Sequence, residues 1–203
     1  MHVGYWLFNI LNWIFFKENK IGLITMKKFV FLIILSILFL VGCKKEDPIN
    51  TVDTLVEVIN KYRLENNLPE IPVSSSLTTV AITHARDLAE NYVPSDVCNL
   101  HSWSDKGNWT PFCYTPDHAN AQLMWNKPRE LTAYTGNGYE IAVFKSDTLT
   151  AIEALELWKN SAAHLDLILN RDIWKDLKWN AIGGAINKGY AVVWFGEEVD
   201  PVK

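Results

Sequence analysis

Residues 154–169 read Ala154-Leu-Glu-Leu-Trp158-Lys-Asn-Ser161-Ala-Ala-His164-Leu-Asp-Leu-Ile-Leu169, and the interpretation of the whole chain starts from them. Their apolar side chains recur at intervals of three and four residues, which places them on one face of a helix. The members of this face are Leu155, Trp158, Ala162, Leu165 and Leu169. The pattern predicts a single amphipathic helix that is capped by Thr148 or Thr150 and ends near Asn170.

The same segment spaces a Trp, a Ser and a His three residues apart, at Trp158, Ser161 and His164. A second histidine, His101, lies in the segment NLHSW, and an isolated acid, Glu140, lies in the segment NGYEI. In this combination the sequence resembles the CAP superfamily, also called the SCP-like or cysteine-rich secretory protein family. Bacterial members of that family carry a W-x-x-S-x-x-H helix after a turn of the Gly-Glu-Asn type.

The resemblance covers residues 52–199 and implies an α+β fold, a three-layer α-β-α sandwich. In CAP domains two His and one or two Glu face an open cavity, and the His pair can hold a divalent metal. Carried over to this chain, the resemblance implies that His101, Glu140 and His164 are the candidate catalytic residues. It also implies that His101 and His164 are candidate ligands of zinc or another divalent metal.

The candidate site departs from the family pattern in three ways. The Gly of the turn is displaced by one residue, in the segment Gly138-Tyr139-Glu140. Ile141 stands where the turn usually has Asn, and Ser161 stands where many eukaryotic members carry a second Glu. Two imidazoles and a carboxylate suit a metal site or a metal-free general base, and Ser102, Ser104 or Ser161 would have to serve as any nucleophile. The chain contains no Gly-x-Ser-x-Gly segment. We therefore expect a binding module, with a hydrolase as the alternative and a structural envelope protein with a vestigial site as a third interpretation.

Helical spacing also predicts two helices near the start of the domain. The first covers residues 54–66, with Asp53 as its N-cap, and the second covers roughly residues 77–92 after a run of serines. His84 lies on the apolar face of the second helix, in a segment similar to the L-x-x-x-A-x-x-H-A helix of CAP domains. A lone histidine on such a face usually packs in the core, and we expect that role for His84.

Apolar runs near the end of the chain predict a short sheet. Residues 139–143 follow an Asn-Gly turn signal and are interpreted as a strand or a buried turn. Residues 181–187 and 190–195 are predicted to be two strands joined by a tight turn at Lys188-Gly189.

The region of about residues 94–136 is interpreted as an insertion, because the first His and the Glu of CAP domains lie only a few residues apart. It carries Trp103, Trp109 and Trp125. These side chains would form either an aromatic platform for sugars or apolar ligands, or the miniature core of the loop itself.

The N-terminal part has the features of bacterial export. Residues 26–42 combine a basic start, an apolar run and a final small residue, which is typical of a signal peptide. The following Cys43 completes a segment, LVGC, that resembles a lipobox and implies cleavage and lipidation at this thiol. Residues 43–51 would then be a lipidated tether, and residues 1–25 an upstream extension that the mature protein lacks if Met26 is the true start. The alternative is an uncleaved transmembrane helix.

Three cysteines are present, and lipidation accounts for Cys43. The remaining pair, Cys98 and Cys113, predicts a disulfide in an exported chain, because exported chains reach an oxidising compartment. A metal site that combines these two thiols with His101 and His118 is the alternative, although the spacing lacks the Cys-x-x-Cys pairs of zinc sites.

Charge and the tether indicate where the protein acts and what it binds. The chain has a formal net charge of −4 at pH 7, and removal of residues 1–42 makes it more negative, which argues against nucleic acid as a partner. The KKEDP segment after Cys43 resembles the tethers of Bacteroidetes lipoproteins. We expect a protein that is lipid-anchored to the outer membrane of a bacterial cell envelope, facing the periplasm or the cell surface. Its expected ligand is a small apolar molecule, a glycan or another protein.

Overall fold

The computed structural model describes residues 54–202, which belong to one compact unit spanning Val52–Lys203. The elements, in chain order, are α1 (Leu55–Glu65), α2 (Ser75–Asn91), α3 (Ala121–Trp125), α4 (Lys127–Leu131), β1 (Tyr139–Phe144), α5 (Ala151–Lys159), α6 (Ala162–Ile168), a 3₁₀ turn at Asp172–Trp174, β2 (Ala181–Asn187) and β3 (Tyr190–Gly196). The predicted signal peptide, the lipidation site at Cys43 and the tether lie outside the described residues.

Helices α1 and α2 begin close to their predicted positions. The N-cap of α1 is Thr54 rather than Asp53, since Thr54 and Glu57 form a reciprocal capping box. The Glu57 carboxylate accepts a hydrogen bond from the Thr54 N–H at 2.7 Å, so both backbone donors at this end are satisfied. Helix α2 starts after Ser74, whose hydroxyl accepts from the Leu77 N–H at 2.9 Å.

The three strands form an antiparallel sheet with the order β1-β3-β2, so β3 is the central strand. The predicted hairpin between β2 and β3 is confirmed. Its turn residues Lys188 and Gly189 have φ angles of 46° and 86°, the left-handed conformation that two-residue hairpin turns of type I′ require.

Strand β3 is buried on both sides and separates two cores. Its residues Ala191, Val193 and Phe195 belong to the core that α1, α5 and α6 cover. The alternate residues Val192 and Trp194 belong to the core that α2 and residues 103–134 cover. Helices therefore cover both faces of the sheet, and the predicted three-layer α-β-α sandwich is confirmed.

The segment with the Trp, Ser and His motif forms two helices, so the prediction of a single helix was wrong. Helix α5 begins at a capping box between Thr150 and Glu153. Thr150, one of the two predicted caps, is therefore its N-cap. It ends at Asn160, whose amide donates to the Glu156 carbonyl at 2.9 Å. Ser161 is extended, with φ −116° and ψ 114°. Asn and Ser side chains compete with helical hydrogen bonds, so the chain can turn here although the apolar spacing continues.

The insertion is closed by the predicted disulfide between Cys98 and Cys113, which excludes the metal site built on their thiolates. Inside the loop, Trp103 and Phe112 form an antiparallel bridge. Trp103 is only 3% exposed and packs in the α2-side core, and Trp109 and Trp125 pack against the same core. This favours the miniature core over an aromatic platform. No helix within residues 54–202 is both long enough and apolar enough to cross a bilayer.

The close approach of α2 to β2 gives a test of this packing. A Cβ atom on Gly183 would lie 2.1 Å from the Thr78 backbone nitrogen, whereas one on Gly184 would lie 3.1 Å from the Leu55 side chain. Backbone cannot move aside as a side chain can, so Gly183→Ala is expected to lower the free energy of unfolding by about 3 kcal/mol and Gly184→Ala by about 1 kcal/mol or less. Urea unfolding measures both, and equal losses would contradict the close contact between α2 and β2.

Candidate functional site

Glu140 lies at the centre of a buried polar cluster. Its side chain is fully buried, and each carboxylate oxygen contacts a different imidazole. Oε1 is hydrogen-bonded to Nδ1 of His84, and Oε2 to Nδ1 of His101 at 2.7 Å. A single carboxylate thus joins two histidines that are far apart in the sequence.

Three elements bring these side chains together. Glu140 is on β1 and points to the same face of the sheet as Ala142, the face that α2 covers. His84 is on the buried side of α2. His101 comes from the disulfide-closed loop, where its backbone N–H donates to the Asn99 side chain at 3.0 Å.

The Glu140 carboxyl is ionised because of its two neighbours. Burial by itself would raise its pKa, but the charge and hydrogen bonds of His84 and His101 overcome that effect and hold the pKa below its ordinary value. A buried carboxylate surrounded by donors stays charged at neutral pH.

The hydrogen bonds of His84 assign its protons. Its Nε2 lies 3.0 Å from the carbonyl oxygen of Ser102, which can only accept, so Nε2 carries a proton. Its Nδ1 faces the ionised Glu140 and carries the second proton. His84 is therefore an imidazolium that forms a buried ion pair with Glu140. It also stacks on Trp103, with ring centroids 4.2 Å apart and planes 9° from parallel.

One nitrogen of His101 is left without a partner. Its Nδ1 is hydrogen-bonded to Glu140, so Nε2 is the nitrogen that can accept from a ligand when the ring is uncharged, and that atom has no hydrogen-bond partner within residues 54–202. The side chain is 19% exposed, so a ligand from solvent can reach it. Tyr114 contacts the ring edge-on, with centroids 5.2 Å apart.

His164, in the first turn of α6, is close enough to His101 for their charges to interact. Burial, and then the charge on His101, lower the pKa of His164 to about 4. At neutral pH its imidazole is uncharged, and in the described part of the chain neither of its nitrogens is hydrogen-bonded. His164 thus presents an uncharged imidazole close to His101.

The three predicted site residues differ in how closely the structure brings them together. His101 and Glu140 are in direct contact, and His164 lies near His101 without a hydrogen bond to Glu140. The sequence interpretation missed His84 as part of the site, because it is also a core residue. The available signal was Glu140 itself, since an acid in an apolar strand requires a buried donor, and His84 is on the helix that covers this strand.

At this site two side chains, rather than three, are available as ligands of a metal ion. No group of three or more His, Cys, Asp or Glu residues in the described range 54–202 is arranged to hold a metal. Glu140 is unsuited as a ligand because both of its oxygens are taken by histidines. The remaining donors are the imidazole nitrogens of His101 and His164, a ligand type that zinc prefers.

The hydroxyls of the serines near the site do not pair with a histidine. The Ser102 hydroxyl accepts from the Tyr114 N–H at 2.8 Å, and Ser161 is at the N-cap position of α6, where its side chain makes no capping hydrogen bond. Among the described residues, no hydrogen bond joins a serine hydroxyl to an imidazole. The arrangement lacks an activated serine nucleophile.

The chain is thus a three-layer α-β-α sandwich with a buried His–Glu–His cluster. Comparison with known sequences identifies its family. The model of the Cysteine-rich secretory protein family, CAP, matches residues 56–175, and the chain belongs to this family. No curated protein matches the chain.

The chain is similar to solved structures from several bacteria. An extracellular protein with an SCP domain from Bacillus anthracis has a TM-score of 0.50 at 17% identity, over 71% of this chain and 39% of its own. An outer surface protein of Borrelia burgdorferi has a TM-score of 0.47 at 21% identity, over 71% and 90%. A cysteine-rich secretory protein of Staphylococcus aureus has 0.45 at 19% identity, over 76% and 40%. This chain thus spans less than half of the Bacillus and Staphylococcus proteins.

The lowered pKa of His164 predicts how stability depends on pH. Between its ordinary value of 6.5 and about 4, the unfolded chain takes up a proton that the folded chain does not. The free energy of unfolding should therefore fall as the pH drops through this window, by up to ~3 kcal/mol from this residue. In His164→Gln this part of the loss should disappear.

Urea unfolding at pH 4, 5, 6 and 7 measures the effect. His118→Gln is the matched control, because it removes a histidine whose side chain is exposed. Identical pH profiles for wild type and His164→Gln would show that His164 is not held neutral in the folded protein.

Proposed function

We propose that the chain is an extracytoplasmic binding module of the CAP family, anchored to the cell envelope through lipidated Cys43, whose ligand site centres on His101 and His164. One observation carries this proposal. Glu140 uses both carboxylate oxygens to hold His84 and His101, and so leaves Nε2 of His101 as an exposed acceptor. Such an arrangement orients a ligand-binding imidazole, as carboxylates do behind the histidines of metal sites.

The ligand chemistry that this site favours is a divalent transition metal, zinc above all. His101 and His164 would hold it, with water or a bound molecule completing the coordination. A metal bound there would supply Lewis acidity to whatever occupies the open positions. Glu140 would act from behind His101, where it fixes the tautomer and the ring orientation.

Binding is favoured over hydrolysis because the groups that catalysis needs are occupied. Glu140 is ionised, but both of its oxygens already accept hydrogen bonds, so neither is free to take a proton from water. The nearby serine hydroxyls do not contact a histidine in the described range. Hydrolysis by a peptidase or esterase mechanism is the alternative function, and turnover would be its evidence.

Zinc titration of the metal-free mature domain tests the proposed site. Calorimetry should show one zinc site in the wild type, and its heat should be lost in His101→Ala and in His164→Ala. Glu140→Gln should bind zinc about 10- to 100-fold more weakly, because the amide no longer fixes the acceptor nitrogen of His101. His118→Ala is the control and should bind like the wild type.

Two outcomes would overturn this proposal. Identical heats in the wild type and both alanine variants would remove His101 and His164 from any zinc site. Turnover of ester or peptide substrates by the zinc-loaded wild type, absent from the His101→Ala, His164→Ala double variant, would replace the binding module by the hydrolase.

The anchor is tested separately, in cells. Cys43→Ser should abolish incorporation of a fatty-acid label and release the protein from the membrane fraction, because the lipid would be the only attachment. The double variant Cys98→Ser, Cys113→Ser is the control and should still be labelled, since those thiols form the disulfide. Labelling of the Cys43 variant, or its retention in membranes, would contradict the proposed anchor.

A further inference from the structure

A buried lysine lies beside the site and has no role in the proposed function. The side chain of Lys127, on α4, is fully buried. Burial lowers the pKa of its ammonium group, and the nearby Glu130 partly offsets that effect. A lysine in this position is costly unless every N–H finds a partner, so its contacts indicate what it does.

Lys127 and Glu130 hold one residue of the insertion, Thr110, at both its carbonyl and its N–H. The Lys127 Nζ donates to the carbonyl of Thr110 at 2.6 Å and to Glu130 Oε2 at 2.6 Å. The other oxygen of Glu130 accepts from the N–H of the same Thr110. This double contact fixes residue 110, two residues before Phe112, which forms the backbone bridge with Trp103.

The ammonium group of Lys127 also contacts the aromatic rings directly. Its Nζ lies 4.9 Å from the ring centroid of Trp103 and 5.4 Å from that of Phe112. Cation–π contacts of this length are strongest where water is excluded, as it is here. Lys127 therefore holds Trp103 in two ways. Its ammonium group contacts the indole directly, and its hydrogen bond to Thr110 fixes the segment whose Phe112 pairs with the Trp103 backbone.

Trp103 passes this constraint to the site. Its indole is stacked on the imidazole of His84 at 4.2 Å, and His84 bonds Glu140. Both nitrogens of His84 are held by hydrogen bonds, and the indole fixes the plane of the ring between them. A rotation of this plane would break the bond to Glu140 and free one oxygen that now has a donor.

We propose that Lys127 is a positioning residue of the site: it holds Trp103 against His84, and through His84 and Glu140 it keeps His101 in the tautomer with an unprotonated Nε2. Only the expected effect on zinc binding rests on the proposed function. The geometry of the histidines can be measured without any metal.

The test uses the metal-free protein with ¹⁵N-labelled histidine at pH 7. Long-range ¹H–¹⁵N correlation spectra distinguish the protonated from the unprotonated nitrogen of each ring. In Lys127→Met, His101 should lose its single tautomer and show a mixture of both, whereas Lys127→Arg should keep the wild-type pattern because it retains the cation. Zinc binding by Lys127→Met, measured afterwards, should be about tenfold weaker.

Two further variants keep the test decisive. Lys159→Met is the matched control, because the Lys159 Nζ also lies over an aromatic ring, 5.2 Å from the centroid of Tyr62, and also pairs with a glutamate. It should leave the His101 pattern unchanged. Glu130→Gln is a milder change at a partly exposed side chain, and it should produce a partial loss of the single tautomer.

The wild-type His101 pattern in both Lys127→Met and Glu130→Gln would overturn the proposal, whatever their effect on stability. If Lys127→Met does not fold, Glu130→Gln decides alone. If the wild type does not bind zinc, the proposed function is refuted. The positioning role of Lys127 is still tested, since the histidine spectra are recorded without metal.

Discussion

The ion pair between Glu140 and His84 is the interaction on which the rest of the site depends. Neither side chain is exposed, and a buried charge that loses its partner costs about 3–5 kcal/mol. The pair joins the sheet to α2, while the second oxygen of Glu140 fixes the disulfide-closed loop through His101. The two parts of the chain that frame the site are thus held by one carboxylate, and the chemistry left to the site is that of the free imidazole nitrogens.

The two faces of the sheet differ in the side chains that they bury. The α1, α5 and α6 side of the sheet buries mainly apolar side chains, together with Asn60 and Arg63. The α2 side instead combines an apolar core with cation–π and stacking contacts that run from Lys127 through Trp103 to His84. The break between α5 and α6 gives His164 its own short helix and places it near His101. The loop that carries His101 is therefore part of the site's framework, and it is held by the disulfide and by the contacts of Lys127 and Glu130 with Thr110.

Sequence patterns predicted the parts of this structure that depend on local periodicity and on family resemblance. The sandwich, the closing hairpin around Gly189, the start of α2 and the disulfide are confirmed. The break at Asn160 and Ser161 was missed because apolar residues keep helical spacing across it, and only side-chain competition for backbone hydrogen bonds ends the helix. His84 and Lys127 were missed for a different reason, since their partners are distant in the chain and only the tertiary fold brings them together.

The protonation state of Glu140 is the most direct test of this interpretation, because the imidazolium of His84 and the free lone pair of His101 both follow from it. A crystal structure of the metal-free domain at a resolution better than about 1.2 Å would show it through the two C–O bond lengths of the Glu140 side chain. We expect equal lengths, the sign of an ionised carboxylate that accepts from both histidines. Unequal lengths, with a proton on the oxygen that faces His84, would contradict the ion pair and remove the basis for assigning the tautomer of His101.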